Sequence, residues 1–224
     1  TDNVRNIIEQ YLFNQGDYAY SMGQGWRLNI PYMKAANSAM MLCTADGAMY
    51  SVGEMEIIDG VYGAVSVGPT LVQGRIITFR QREGDDFTLT AVQVNANFNL
   101  TGIFTQRKDE IFKSRWYSLS YTLKMKDGTV YEMDGLGRTT RITDPSGLNV
   151  IRLYYSGLYL DYIEDSVDRK IHFEYQFNLA FIWTRINRIW VEEDPYGREI
   201  NYTVSNTGLL ESARDAGGRE SRYT

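Results

Sequence analysis

Large apolar residues alternate with small polar ones along several stretches of the chain. In Tyr117-Ser-Leu119-Ser-Tyr121-Thr-Leu123-Lys-Met125 every second residue is large and apolar, and the intervening ones are Ser, Ser, Thr and Lys. That is the period of a strand with one buried face. The same period runs through Ile171-His-Phe173-Glu-Tyr175-Gln-Phe177, Phe87-Thr-Leu89-Thr-Ala91 and Ile200-Asn-Tyr202-Thr-Val204. Near the N-terminus the spacing changes. Val4, Ile7, Ile8, Tyr11 and Leu12 recur at helical intervals behind Thr1, Asp2 and Asn3, which predicts a short amphipathic helix. The expected fold is all-β and antiparallel, with that one short helix.

A repeat organises the second half. Asp-x-x-Gly recurs as Asp144-Pro-Ser-Gly147, Asp194-Pro-Tyr-Gly197 and Asp215-Ala-Gly-Gly218, with Asp165-Ser-Val-Asp168 as a variant. The steps between the leading Asp residues are 21, 29 and 21, so the middle unit carries 8 extra residues, assigned to an insertion around Leu179–Trp183. A basic residue follows three of the four motifs, at Arg169, Arg198 and Arg219, and an aromatic falls five residues after the Asp or Gly that closes the motif, at Phe173, Tyr202 and Tyr223. Gly157 and Gly208 sit midway. One unit therefore reads as turn, strand, Gly turn, strand.

The turn residues have a mechanism. Asp at the first position accepts backbone N–H bonds, Pro at the second presets φ, and Gly closes the fourth, the preferences of a type I turn. An isolated hairpin is marginal in water, so successive hairpins are expected to pair into one continuous sheet, each covering its neighbour's edge. Upstream, Leu42 to Val52 and Leu123 to Met133 share Leu, Asp-Gly and Tyr at equal offsets, and Asp46-Gly47 and Asp127-Gly128 are hairpin signals.

Composition agrees and narrows the chemistry. The 17 Tyr and 20 Gly among 224 residues suit strand faces and turns. A single Cys, Cys43, excludes an intrachain disulfide, and a single His, His172, excludes a multi-His metal site. A net charge of −5 argues against a nucleic-acid partner. No apolar run is long enough to span a bilayer, and no basic-then-apolar leader opens the chain. The chain begins at Thr1 without Met, which reads as a processed product or a piece of a longer protein.

No catalytic, cofactor or metal constellation emerges. Glu192-Glu193-Asp194 and Glu83-Gly84-Asp85-Asp86 lie beside Gly or Pro and read as solvated turns, since local spacing does not fix a carboxylate pair across a cleft. Asp144, Asp165, Asp194 and Asp215 are too far apart for a calcium loop, which draws its ligands from about a dozen residues. His172 is expected on the polar face of its strand, exposed, and Cys43 as a small buried hydrophobe. Trp26, in Gly23-Gln24-Gly25-Trp26, reads as structural, with small neighbours that let backbone approach the indole. Trp183 and Trp190, in and just after the insertion, are the candidates for a binding surface. The Arg residues of the Gly-Arg pairs at Arg138, Arg198 and Arg219 are expected to pair with nearby carboxylates. Gly23-x-Gly25 lacks the third glycine of a dinucleotide loop.

The units Gly-Arg-x3-Tyr, a Gly-Leu turn and Asp-x-x-Gly resemble the tyrosine-aspartate (YD) repeats of the Rhs family, which includes the B and C components of insect toxin complexes and, more distantly, the teneurins. Gly23 to Pro31 followed by Asp46-Gly47 is similar to the Gly-x-Gly-Trp segment that precedes such repeats. The resemblance implies a non-catalytic wall segment of a β-shell that encloses a C-terminal toxin, with residues 1–115 as a lead-in of irregular hairpins and residues 116–224 as YD-type hairpins cut within a repeat. The implied partners are the rest of a longer chain with its toxin cargo, and copies of itself through an open sheet edge at the C-terminal repeat. The implied location is secreted or at the surface of a bacterial cell. The alternative is an adhesion or glycan-binding module that uses exposed aromatics.

Overall fold

A computed structural model describes residues 19–36, 39–95, 116–178 and 183–223. The helix expected over residues 4–12 lies outside them. The described chain is all-β. Five strands come from the N-terminal region alone: β1 (Ser21–Gly23) pairs with β2 (Trp26–Arg27), and β3 (Tyr32–Ala36), β4 (Ala39–Cys43) and β5 (Met49–Ser51) form a three-stranded meander. A single 3-10 turn at Val52–Glu54 follows.

The remaining strands form one antiparallel sheet of 13, each paired to its neighbours in chain order. Its first three are β6 (Glu56–Val67), β7 (Thr70–Arg80) and β8 (Phe87–Asn95). The next five are β9 (Trp116–Met125), β10 (Val130–Asp134), β11 (Thr139–Thr143), β12 (Val150–Ser156) and β13 (Tyr159–Glu164). The last five are β14 (Lys170–Asn178), β15 (Trp183–Val191), β16 (Glu199–Val204), β17 (Leu210–Arg214) and β18 (Glu220–Arg222). The sheet runs across residue 115, because β8 pairs with β9 from Phe87 opposite Met125 to Asn95 opposite Trp116. Residues 55–95, which carry no repeat signal, supply its two longest strands, of 12 and 11 residues.

The insertion in the 29-residue step lengthens a hairpin. Strands β14 and β15 are nine residues each and pair from Ile171 opposite Val191 to Asn178 opposite Trp183, whereas β16 and β17 have six and five residues.

One face of the sheet is covered by the N-terminal region and holds the core. The β3–β5 meander and the turn after it place Met33, Met40, Leu42, Val52 and Met55 against Ile77, Phe79, Phe87, Leu89, Ala91, Tyr121, Leu123 and Met133 of β7–β10. Residues 19–32 cover the rest of that face, where Ala19, Tyr20 and Tyr32 pack with Leu153, Leu160, Phe173 and Ile186. Burial follows the alternation: Leu89, Leu123 and Leu160 are fully enclosed. Cys43 is buried at 1% exposure, as its apolar run implies.

Candidate functional site

In each Asp-x-x-Gly turn the N–H of the fourth residue donates to the carbonyl of the leading Asp. In Asp165-Ser-Val-Asp168-Arg169 the Asp165 N–H donates to the Arg169 carbonyl (3.1 Å), and the Asp168 N–H donates back to the Asp165 carbonyl (3.2 Å). This is a type I turn followed by a left-handed residue, a three-residue hairpin loop with a bulge. The Asp165 carboxylate accepts the N–H groups of Val167 and Arg169 and the Nε–H of the Arg169 side chain (2.9, 3.1 and 2.7 Å). The same Asp–Arg clasp closes Asp194–Arg198 and Asp215–Arg219, so the basic residue after each motif pairs with its own turn. At Asp144 the partner is Asn149, one position later, whose side-chain amide donates at 2.6 Å, helped by the Ser146 hydroxyl.

These bonds favour the ionised carboxylate. Asp144 is held down at about 2, first by the Asn149 amide and then by Ser146, and Asp194 at about 2 by the Arg198 guanidinium and backbone N–H. The Arg198 fork is spent on Asp194, whose side chain is 1% exposed. Gly147, Gly197 and Gly218 all take positive φ (75°, 58° and 81°), and Asp168, standing where Gly is usual, takes φ 61°.

A fourth Asp–Arg clasp lies outside the 21-residue repeat. Asp134-Gly-Leu-Gly137-Arg138 has the same spacing, and its carboxylate accepts the N–H groups of Leu136 and Arg138 and the Arg138 side chain. It lies off the 21-residue metre because it belongs to the opposite rim of the sheet, between β10 and β11.

That rim receives the N-terminal region. The Met33 N–H donates to the Gly137 carbonyl and the Gln24 N–H to the Gly208 carbonyl, both at 2.8 Å. Between these two anchors lies a set of buried phenols. The Tyr155 hydroxyl donates to the Thr139 carbonyl, which uses its single proton, so the Tyr20 hydroxyl donates to Tyr155 and accepts the Thr139 N–H. Thr139 Oγ1 donates to the Pro31 carbonyl. The Tyr175 hydroxyl accepts the Leu160 N–H (3.0 Å) and lies 2.7 Å from the Ala19 carbonyl. Burial pushes all three phenols well above their ordinary range. Tyr155 and Tyr175 are fixed hydrogen-bonding posts under the docked segment that carries Tyr20, in a position to order chain rather than to exchange protons.

The opposite face carries an aromatic row. Tyr154, Tyr162, His172 and Trp190 stand opposite one another on β12 to β15. Tyr154 and Tyr162 stack at 4.4 Å and 15°, and His172 and Trp190 at 4.3 Å and 14°. His172 is on the polar face as its alternation implies, yet it is half-buried between Tyr162 and Trp190 rather than exposed, with Nε2 3.5 Å from Glu192. The stack covers one face of the Trp190 indole. Trp183 opens β15 opposite Asn178, and its side chain lies outside the described residues.

Trp26 differs from its sequence reading. The close approach in Gly23-x-Gly25 is made by Gly23 against Leu210, where a Cβ would come within 2.7 Å, and Gly25 serves the turn at φ 80°. The indole itself is 46% exposed and packs on Tyr223 at 5.0 Å. Together with Met22, Ile200, Tyr202 and Arg219, these two rings line a cavity of about 540 Å³ at the β18 end of the covered face.

The carboxylate clusters occupy turns. Asp85 pairs with Lys126 at 2.6 Å, Glu192 lies near Lys170, and Glu193 has φ 54°. Among the described residues no three His, Cys, Asp or Glu side chains are arranged to hold a metal ion, and no helix is long and apolar enough to cross a membrane. No family model and no curated protein matches the chain.

Proposed function

We propose that this chain is a non-catalytic wall segment of an Rhs-type β-shell, part of a longer secreted or surface-exposed bacterial protein that encloses a C-terminal toxin. The observation that supports it best is the 13-stranded sheet laid down hairpin by hairpin in chain order, with four Asp–Arg clasps at its turns. An architecture in which each hairpin covers the previous edge extends by adding units, which is what a wall requires. The covered face is packed by structural contacts, and the carboxylates of Asp134, Asp165, Asp194 and Asp215 are committed to the Arg of their own turns, consistent with a scaffold.

The test is the complete gene product. Its coding sequence is expected to continue past Thr224 with further Asp-x-x-Gly units and an unrelated C-terminal domain, and electron microscopy is expected to show a hollow particle in which that domain resists added protease. A gene that stops at Thr224, or a C-terminal domain cut as fast as the isolated domain, overturns the proposal. The half-exposed Trp26 beside Tyr223 favours glycan binding as the second reading. Saturable binding on a glycan array, lost on Trp26→Ala, would select it.

A further inference from the structure

Among the described residues the large sheet ends on β6 at one side and β18 at the other, and the two edges are unlike. Strand β18 is three residues long and carries Glu220 and Arg222, a short charged edge of the kind that resists pairing. Strand β6 is 12 residues long. From Gly60 to Val67 it reads Gly-Val-Tyr-Gly-Ala-Val-Ser-Val, without a charge or a proline. It is apolar toward both faces of the sheet: Val61, opposite Ile76, is 59% exposed, and Tyr62 on the other face 66%. A nearly continuous apolar run of this kind belongs to strands covered on both faces, and a long uncharged edge is a template for another strand.

The register points to which strand fits. The bulge in β6 lies between Ile57 and Asp59, and from Asp59 to Val67 the pairing with β7 is unbroken. Gly63 is the midpoint of that stretch. We propose that β6 pairs antiparallel with β6 of a second copy of this chain, about a two-fold axis through Gly63, joining two sheets edge to edge. Such an interface is isologous and closed, so it yields a dimer rather than a filament. In this register Tyr62 faces Ala64 of the second copy, Val61 faces Val65, Gly60 faces Ser66 and Asp59 faces Val67. The bulkiest residue of the stretch, Tyr62, meets the small Ala64, and the two valines Val61 and Val65 pair on the other face. The two carboxylates of the strand, Glu56 and Asp59, fall at the ends of the pairing, away from their own counterparts. In a chain of net charge −5 this is the long edge along which two copies meet without like charges in opposition. Pairing β6 with β18 instead would leave most of its length uncovered. The inference stands independently of the shell reading.

Site-specific cross-linking of the 224-residue chain tests it. A Cβ at Gly63 meets nothing within 4 Å, so Gly63→Cys fits. Across the axis directly opposed Cα atoms lie about 4.5–5.5 Å apart, within disulfide reach. The expected result is a dimer by sedimentation equilibrium that becomes covalent under mild oxidation in Gly63→Cys and not in Val67→Cys, whose two copies lie at opposite ends of the pairing. Val61→Lys, at an exposed position, is expected to give a folded monomer. A wild-type monomer, equal cross-linking at both positions, or a dimer that survives Val61→Lys and is lost on Ser221→Pro in β18 overturns the proposal. If Val61→Lys fails to fold, the cysteine pair still decides.

Discussion

The turn glycines share a left-handed backbone and differ in what surrounds them. At Gly197, φ is 58° and a Cβ would meet nothing within 4 Å. At Gly137, φ is 85° and a Cβ would lie 2.5 Å from the Met33 carbonyl oxygen, on the backbone that docks there. Gly197→Ala therefore carries the left-handed penalty alone, about 1 kcal/mol. Gly137→Ala adds a clash with backbone that must shift, and its cost is expected to exceed about 2 kcal/mol. Urea unfolding of the two variants checks this; equal midpoints would show that Gly137 is not a docking point. Asp168, already left-handed at φ 61°, shows that the backbone alone tolerates a side chain at this position. The turn chemistry was legible in the sequence because Asp, Gly and Arg act within five residues of one another. The second role of Gly137 was not, because its partner Met33 is more than a hundred positions away.

Among the elements, β8, β9, β14 and β16 were readable from alternation because one face of each is covered and the other is wet. Strand β6 gave no such signal, since Val61 and Tyr62 are apolar toward opposite faces. The docking of residues 19–32 was equally hidden, as it depends on phenols of β12 and β14 that meet Ala19 and Tyr20 only in the folded chain. Those phenols give the segment a pH signature. Tyr20, Tyr155 and Tyr175 have folded-state values raised above the ordinary 10 of an unfolded chain. Their contribution is thus complete below about pH 10 and is lost as pH rises beyond it, because the unfolded chain releases protons that the folded chain keeps. Absorbance titration at alkaline pH should show these tyrosines ionising only with unfolding. Tyr175→Phe, which leaves the Leu160 N–H and Ala19 carbonyl short of a partner, should cost about 1–3 kcal/mol. A variant as stable as the wild type would mean that water replaces the phenol.

For the whole molecule the two kinds of contact have different consequences. Every strand of the large sheet pairs only with its sequence neighbours, and an array of that kind loses structure progressively from its ends. The N-terminal region is the exception. It spans the covered face from β7 to β16, and it is tied to the turns at Gly137 and Gly208 and to the phenol of Tyr175. A clamp across many strands raises the cost of opening any one of them, so β11 to β16 should exchange amide hydrogens as one cooperative unit in the wild type. Tyr20→Phe removes the hydroxyl that accepts the Thr139 N–H and donates to Tyr155, in the middle of the clamp, while keeping the ring in the core. Hydrogen exchange followed by mass spectrometry should then show protection falling in steps toward β16, with β8 and β9 unchanged beneath the separate β3–β5 meander. If protection falls equally over all strands, the sheet is cooperative by itself and the N-terminal region is merely its cover.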